Sequence, residues 1–144
     1  MKRFKILVAD DIREIRDMLR LFLEQDYDVV LARNGEEAWE LFNSEKPDLV
    51  LSDCVMPRIN GMELRRRIKL QSFSPETPVI MITAATRESD VPDGLWGDIA
   101  GMDGFISKPF GREQVLGKVV ACLSKLDNTA LGSKNNEPAT TTVL

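Results

Sequence analysis

Short apolar runs alternate along this chain with amphipathic stretches, and the alternation restricts the possible folds more than any other feature. Between the runs, apolar residues recur three and four positions apart, as at Ile15, Leu19 and Phe22, which is the spacing of one helix face. The runs themselves are short and strongly apolar, as in strands that are buried on both faces. They are FKILVA (4–9), DVVLA (28–32), DLVLS (48–52), PVIMIT (78–83) and GFIS (104–107).

This pattern predicts an α/β fold built from five strand–helix units. Apolar strands that are joined through helices form a parallel sheet, and right-handed crossovers place helices on both of its faces. The expected architecture is a doubly wound five-stranded parallel sheet in a three-layer αβα sandwich. In such sheets ligands bind beyond the carboxyl ends of the strands, near the point where the strand order reverses.

Composition and charge restrict the function. The 144 residues include 19 Lys plus Arg and 23 Asp plus Glu, a net charge of −4, which disfavours a surface built to bind nucleic acid. The N-terminal apolar run stops at Asp10 and Asp11, too early for a signal peptide, and no segment reaches the ~20 apolar residues of a membrane span. Cys54 and Cys122 form no metal or disulfide pattern. We therefore expect a reduced, cytoplasmic protein without direct contact to nucleic acid or membrane.

The sequence contains no histidine. This absence removes imidazole acid–base catalysis, histidine-activated nucleophiles and histidine-ligated zinc. Any chemistry must therefore use carboxylates, amines, guanidinium groups, hydroxyls or thiols.

Polar residues stand at the ends of four predicted strands. Asp10 and Asp11 follow the first strand, Asp53 closes the third, Thr83 closes the fourth and Lys108 follows the fifth. The carboxyl ends of parallel strands share one edge of the sheet, so we expect these residues to meet there. Three carboxylates repel one another unless a cation lies among them, and an open set of oxygen ligands favours Mg²⁺ over a closed calcium cage. Asp53 in these surroundings suits phosphoryl transfer, because an ionised carboxylate needs no general base.

Four motifs carry a resemblance to a known family: VADD, LSDCVMPRINGMEL, MITA and GFISKPF. In this order and strand context they closely resemble the receiver domain of two-component response regulators, including the chemotaxis regulators. The resemblance covers about residues 3–126 and implies the flavodoxin-like strand order 2-1-3-4-5. We expect a receiver domain over residues 1–126 and a flexible tail or truncated linker over the polar segment 127–144.

The resemblance also assigns roles at the site. It implies that Asp53 is the phosphoacceptor and that Lys108 pairs with the phosphoryl group. It further implies that Mg²⁺, or Mn²⁺, is held by Asp10, Asp11, Asp53 and the backbone carbonyl of Val55.

A switch pair follows from the same resemblance. It implies that the hydroxyl of Thr83 moves toward the phosphoryl group and that the ring of Phe105 turns inward behind it. The signal would then pass through the face formed by the helix between strands 4 and 5, the fifth strand and the closing helix.

The implied function is phosphorelay signal transduction by a switch, rather than metabolic catalysis. The phosphoryl donor is expected to be a sensor histidine kinase or a phosphotransfer protein, acting in trans because this chain has no histidine. The downstream partner, a protein or an output domain, is not identified by the sequence. The alternative is a degenerate receiver that acts as a phosphorylation-independent protein-interaction module, and the complete set of site residues argues against it.

Rival interpretations exist for several of these residues. Asp11 by itself could cap the first helix. An aspartyl-phosphate phosphatase of the haloacid dehalogenase type needs a second Asp at the position that Val55 occupies. A flavodoxin-like carrier of FMN needs a hydroxyl-rich phosphate loop where Asp10 and Asp11 stand, and these two charges would repel the phosphate.

The chain departs from the family pattern between Thr83 and Lys108. This segment is longer than is usual and rich in Gly and Pro, which disfavour helix by ~1 and ~3 kcal/mol per residue relative to Ala. A longer loop after the fourth strand and a short helix over Leu95–Ala100 are therefore predicted. Val55 and Ala85 flank the site, and as apolar side chains they offer nothing to orient an attacking water. Slow self-dephosphorylation is the resulting expectation.

Overall fold

The computed structural model describes residues 3–83 and 103–135, with side chains as far as residue 126. Each run that was predicted as a strand forms one, within one residue of the predicted bounds. The strands are β1 (Lys5–Ala9), β2 (Asp28–Ala32), β3 (Leu49–Asp53), β4 (Val79–Thr83) and β5 (Gly104–Ser107). The helices within the described residues are α1 (Arg13–Leu23), α2 (Gly35–Glu45), α3 (Gly61–Gln71) and α4 (Arg112–Asn135).

The five strands form one parallel sheet in the order β2-β1-β3-β4-β5. This order confirms the predicted doubly wound α/β fold. β3 and β4 are buried at every position, because each has a strand on both edges and protein on both faces. The order reverses beside β1, so a ligand site is expected in the crevice beyond the carboxyl ends of β1 and β3.

Alternate strand residues face two separate cores, because successive side chains of a strand point to opposite faces. The first core joins the sheet to α1 and α4 and contains Ile6, Val8, Leu19, Leu23, Leu49, Leu51, Ile80, Ile82, Ile106, Val115, Val119, Cys122 and Leu123. The second joins the sheet to α2 and α3 and contains Leu7, Ala9, Ala32, Ala38, Phe42, Val50, Met56, Ile59, Leu64, Ile68, Val79 and Met81. The apolar runs thus fill both cores at once, which produces the three layers.

Asparagine side chains begin α2 and α3. Asn34 Oδ1 accepts a hydrogen bond of 2.8 Å from the N–H of Glu37. Asn60 Oδ1 accepts one of 2.9 Å from the N–H of Glu63. Each bond satisfies a backbone donor that the first helical turn would otherwise leave unpaired.

The start of α1 differs from the interpretation of Asp11 as its cap. The N-cap residue is Ile12, and no side chain within the described residues forms a capping bond there. Asp10 Oδ1 accepts a bond of 2.9 Å from the Ile12 N–H instead. Asp10 therefore organises this turn, and Asp11 stays exposed at the edge of the sheet.

The C-terminal helix α4 extends beyond the predicted boundary at residue 126. Its backbone continues as helix through Asn135, while the predicted domain boundary at residue 126 stays a prediction. Leu126 packs against the first core, and once a turn is anchored in this way each further residue adds one hydrogen bond to the helix. The predictions for Ala85 and for a short helix at Leu95–Ala100 lie outside the described residues.

None of the helices in the described part of the chain combines the length and the apolarity needed to cross a bilayer.

Candidate metal centre at the carboxyl edge of the sheet

Three carboxylates meet at the carboxyl edge of the sheet, as predicted. Asp10 lies one residue beyond β1, Asp53 is the last residue of β3, and Asp11 belongs to the turn into α1. One carboxylate oxygen from each of them lies within 4.8 Å of the other two. The sheet causes this convergence, because β1 and β3 are paired neighbours whose carboxyl ends lie side by side.

Lys108, immediately beyond β5, joins the same cluster. Its Nζ lies 3.5 Å from Asp53 Oδ2 and 3.6 Å from Asp10 Oδ2. Its backbone N–H donates a hydrogen bond of 2.7 Å to the carbonyl of Thr83, which ties it to the end of β4. The fold thereby brings an ammonium group to two carboxylates that are far from it in the sequence.

Burial sets the electrostatics of the two inner carboxyls. Asp10 is fully buried and Asp53 is 6% exposed. Desolvation raises the pKa of Asp10, against the lowering effects of the Ile12 N–H and of Lys108. Desolvation also raises the pKa of Asp53, and the nearby charge of Asp10 raises it further. Both carboxyls therefore occupy surroundings that disfavour the ionised form unless positive charge is supplied.

The cluster fits a divalent metal ion. Three carboxylates and one ammonium, −3 and +1, leave a charge of −2, which a divalent cation neutralises. Among the residues that the structure describes, the buried Asp10 Oδ2 accepts no hydrogen bond, although it pairs with Lys108. Carboxylate oxygens are the preferred ligands of hard cations, and so few of them leave positions for water and for a phosphate oxygen.

The loop between β3 and α3 begins directly after Asp53 and is held by backbone hydrogen bonds. The backbone N–H of Val55 donates a hydrogen bond to the Asp53 carboxyl and so lowers its pKa, although desolvation outweighs this effect. The N–H of Cys54 donates to the Ile82 carbonyl at 2.8 Å, and that of Gly61 donates to the Cys54 carbonyl at 3.0 Å. The side chain of Val55 is 67% exposed and lies on the outside of the loop.

The residues of the predicted switch pair, Thr83 and Phe105, lie on neighbouring strands. Thr83 is the last residue of β4 and is 4% exposed at the same edge of the sheet. Phe105 is opposite Met81 in the register of β4 and β5, and its half-buried ring packs against the second core. Because Thr83 follows Met81 by two residues on β4, Thr83 and Phe105 lie on the same face of the sheet.

Sequence reasoning missed Arg16 on α1. Its Nη1 donates a hydrogen bond of 2.8 Å to the backbone carbonyl of Asp10 and so braces the turn that carries two of the carboxylates. The sequence holds no signal for this role, because a basic residue on an amphipathic helix is ordinarily solvated.

Sequence reasoning also did not single out Gly35 and Gly61, which lie against the backbone of the segment from Asp53 to Ile59. Each follows a capping Asn and occupies the first turn of a helix, where a Cβ would meet the backbone of the β3–α3 loop or of Asp53. The Asn-Gly pair at the start of both helices could have identified these positions. Gly is a poor helix former, so its presence at two helix starts suggests that a side chain would not fit there.

A doubly wound five-stranded sheet with an acidic cluster and a lysine at its carboxyl edge is the arrangement of a receiver, the input module of a signalling switch. The family model of the response regulator receiver domain matches residues 6–120, and the chain belongs to that family. Its function is accordingly phosphorelay signal transduction.

Individual relatives agree with this assignment. The response regulator MprA of Mycolicibacterium vanbaalenii is 38% identical over 122 residues, which are 84% of this chain and 51% of that protein. The alkaline phosphatase synthesis transcriptional regulatory protein PhoP of Bacillus subtilis is 37% identical over 136 residues, which are 92% of this chain and 55% of that protein. The chain thus spans about half the length of these curated relatives.

The fold agrees with that of a solved chemotaxis protein. The chemotaxis protein CheY4 of Vibrio cholerae superimposes with a TM-score of 0.74 at 30% sequence identity, over 84% of this chain and 99% of that chain.

Proposed function

We propose that Asp53 is the phosphoacceptor of this receiver domain. The proposal rests on the position of its carboxylate, 3.5 Å from the Lys108 ammonium and within the cluster formed with Asp10 and Asp11. A buried carboxylate with a raised pKa is costly unless it is paired or used. Phosphoryl acceptance would account for a carboxylate at this position, because ligands of doubly wound sheets bind in the crevice beyond the carboxyl ends of the strands.

In the proposed reaction, an ionised oxygen of Asp53 attacks the phosphorus of a phosphohistidine on the donor protein. A P–O bond forms as the P–N bond breaks, and the electron pair of that bond leaves with the donor imidazole. The product is an aspartyl phosphate. The Lys108 ammonium and the Thr83 hydroxyl would each hold a phosphoryl oxygen and offset the charge that develops on it.

The metal is proposed to be Mg²⁺ or Mn²⁺, held by Asp10, Asp11, Asp53 and the backbone carbonyl of Val55. When bound, such an ion neutralises charge on the phosphoryl oxygens and orients the group for in-line transfer. The donor set supports this choice, because it consists of oxygens alone and is open on the solvent side. Asp10 and Arg16 hold the turn in place, through the Ile12 N–H and the Asp10 carbonyl respectively.

The output is proposed to pass through Thr83 and Phe105. A phosphoryl group on Asp53 would draw the Thr83 hydroxyl toward it, and the space released would be taken by the ring of Phe105. The half-buried position of that ring supports the idea. A side chain that contacts the core and is also partly exposed can change the surface when it moves inward.

The partners follow from the phosphoryl chemistry. The donor is proposed to be a sensor histidine kinase or a phosphotransfer protein in the cytoplasm. The name of the similar Bacillus subtilis protein, a transcriptional regulatory protein, supports a transcriptional output carried by a separate domain or protein. On this proposal the domain catalyses its own phosphorylation and acts as a switch.

Mass spectrometry of the intact protein tests the proposal. The protein is incubated with MgCl₂ and acetyl phosphate, and the expected result is the gain of one phosphoryl group. The gain should disappear when EDTA is added and in Asp53→Ala.

Asp26→Ala is the matched control, since it removes an exposed carboxylate from outside the cluster and should be phosphorylated like the wild type. Absence of phosphorylation in the wild type would favour the interaction-module alternative. Equal phosphorylation of Asp53→Ala would place the acceptor elsewhere.

A further inference from the structure

Two glycines contact the backbone around Asp53 at distances that a side chain would not permit. A Cβ on Gly35 would lie 1.8 Å from the carbonyl oxygen of Ile59, and a Cβ on Gly61 would lie 2.3 Å from the carbonyl oxygen of Asp53. Favourable contacts between heavy atoms lie at about 3.5–4.0 Å, so neither Cβ fits without movement of the chain. Neither glycine has a left-handed φ, and the close approach is therefore what requires the missing side chain.

Both obstructing atoms belong to the backbone, which cannot rotate away as the end of a flexible side chain can. Ile59 lies in the loop that runs from β3 to α3, and Asp53 is the residue from which that loop departs. The first turn of α2 therefore fixes one end of the loop, and the first turn of α3 fixes the other.

Other contacts of the β3–α3 loop also hold its residues in place. Ile59 and Met56 are buried in the second core, at 9% and 6% exposure. Arg58 has a φ of 70° and forms an ion pair of 3.1 Å with Glu36, the residue after Gly35. Between these anchored positions, Val55 extends its side chain outward and its N–H to the Asp53 carboxyl.

We propose that Gly35 and Gly61 are positioning residues of the metal centre. By letting two helix starts touch the loop backbone directly, they set the place of the Val55 carbonyl relative to the carboxylates of Asp10 and Asp53. This inference rests on the proposed function, because it takes the Val55 carbonyl as a metal ligand. It adds that the ligand geometry is determined by α2, an element that contributes no ligand itself.

Calorimetric titration of the metal-free protein with MgCl₂ tests the proposal. Gly35→Ala and Gly61→Ala should each bind Mg²⁺ at least tenfold more weakly than the wild type. In the metal-free state, Gly35→Ala should also show faster amide exchange over residues 54–60, with exchange in β1 unchanged. A purely structural role would not produce this local pattern.

Two control variants separate positioning from loss of stability. Val119→Ala leaves a cavity in the first core, on the opposite side of the sheet, and should lower the melting temperature without weakening Mg²⁺ binding. Gly117→Ala adds a Cβ that meets no heavy atom of the described residues within 4 Å beyond its own turns of α4, and should leave binding unchanged. Should Gly35→Ala alone be too unstable, the titration is made in the Gly117→Ala background, where a better helix former in α4 restores stability.

The possible outcomes are distinct. Mg²⁺ affinity of both glycine variants within twofold of the wild type overturns the inference and leaves the proposed function intact. Equal weakening in Val119→Ala also overturns it, since stability alone would then account for the effect. Failure of the wild type itself to bind Mg²⁺ contradicts the proposed function and, with it, the inference.

Discussion

Asp10 and Asp53 have a strong influence on how the metal-free protein responds to pH. Folding raises the pKa of both, chiefly by desolvation, so the folded state holds these protons more tightly than the unfolded chain does. A group of this kind favours folding below its unfolded pKa of about 3.9. That contribution is lost as the pH rises through the raised value, so at neutral pH the ionised pair reduces the free energy of unfolding.

Replacement of Asp53 by Asn should therefore stabilise the metal-free protein at pH 7. The amide keeps an oxygen for the Val55 N–H and removes a buried charge, and the expected gain is about 1 kcal/mol, the usual scale of a single substitution. The gain should shrink as the pH is lowered toward 4, because the raised pKa makes the wild-type carboxyl take up its proton earlier than an exposed Asp would. Thermal melts at both pH values in EDTA measure the difference.

Asp26→Asn serves as the control for this substitution, because Asp26 is exposed. It should change the melting temperature little at either pH. A stabilisation by Asp53→Asn of equal size at pH 4 and pH 7 would contradict the electrostatic cause.

Mg²⁺ should reverse the penalty on the wild type. Binding to the folded state alone stabilises by RT ln(1 + [L]/Kd), about 2.7 kcal/mol when the free ion is at a hundred times Kd. The increase in melting temperature should be large at pH 7.5 and small at pH 4.5, because protons compete for the same oxygens. An equal increase at both pH values would show that the ion binds away from Asp10 and Asp53.

The exposed side chain of Val55 should govern the lifetime of the phosphoryl group. This apolar side chain is 67% exposed two residues after the proposed acceptor Asp53, and it supplies no group that could orient an attacking water. We expect a half-life of minutes or longer with Mg²⁺ present, and a several-fold shorter one in Val55→Asn. Decay of the phosphoprotein after removal of the donor gives the rate.

Val55→Ile is the matched variant for this comparison, since it keeps the apolar surface and should decay at the wild-type rate. A half-life of seconds in the wild type would refute the protective role.

At the scale of elements, the start of α2 supports both the helix and the β3–α3 loop. Asn34 caps the helix through the Glu37 N–H, and Glu37 Oε1 accepts a bond of 2.7 Å from the Arg33 N–H in return. This second bond is the main reason that the pKa of Glu37 is lowered. The reciprocal pair fixes the direction in which α2 leaves β2, and so the place where Gly35 meets the loop.

Asn34→Ala should lower the free energy of unfolding by about 1 kcal/mol, the usual cost of losing an N-cap. The Glu37 N–H would lose its acceptor, and the helix start would loosen. Urea denaturation measures the change in midpoint. Asn34→Ser keeps an oxygen acceptor and should recover most of the stability. Equal losses of stability in both variants would show that the capping hydrogen bond does not stabilise the helix.

At the scale of the whole molecule, the boundary of the folded domain remains a prediction. Leu126 is half-buried against the first core, while the backbone of α4 continues as helix to Asn135. A chain truncated after Leu126 keeps every core residue that the structure describes. It should therefore unfold cooperatively with a melting temperature close to that of the full chain.

Circular dichroism melts of the chain ending at Leu126 and of the full chain test the boundary. A chain ending at Ala121, which lacks Cys122 and Leu123 of the first core, should be markedly less stable and serves as the comparison. Strong destabilisation by removal of residues 127–144 alone would move the domain boundary toward Asn135.

The sequence by itself determined the local structure and the class of the fold. The strands buried on both faces and the helix-spaced apolar residues follow from short-range patterns. The strand ends followed as well, so the meeting of Asp10, Asp53 and Lys108 was predictable once the sheet was taken to be parallel. The family motifs then supplied the strand order, which the structure confirms.

Only the tertiary structure decided the contacts that depend on where one element lies against another. The bond from Arg16 to the Asp10 carbonyl, the approach of Gly35 to Ile59, and the exposure of Asp11 in place of a capping role are of this kind. Each depends on distances of a few ångströms between segments that are separate in sequence or that compete for the same backbone donor. A residue pattern records which side chains are apolar or charged, whereas the packing of both cores sets these distances. The precise form of the candidate metal centre depends on them.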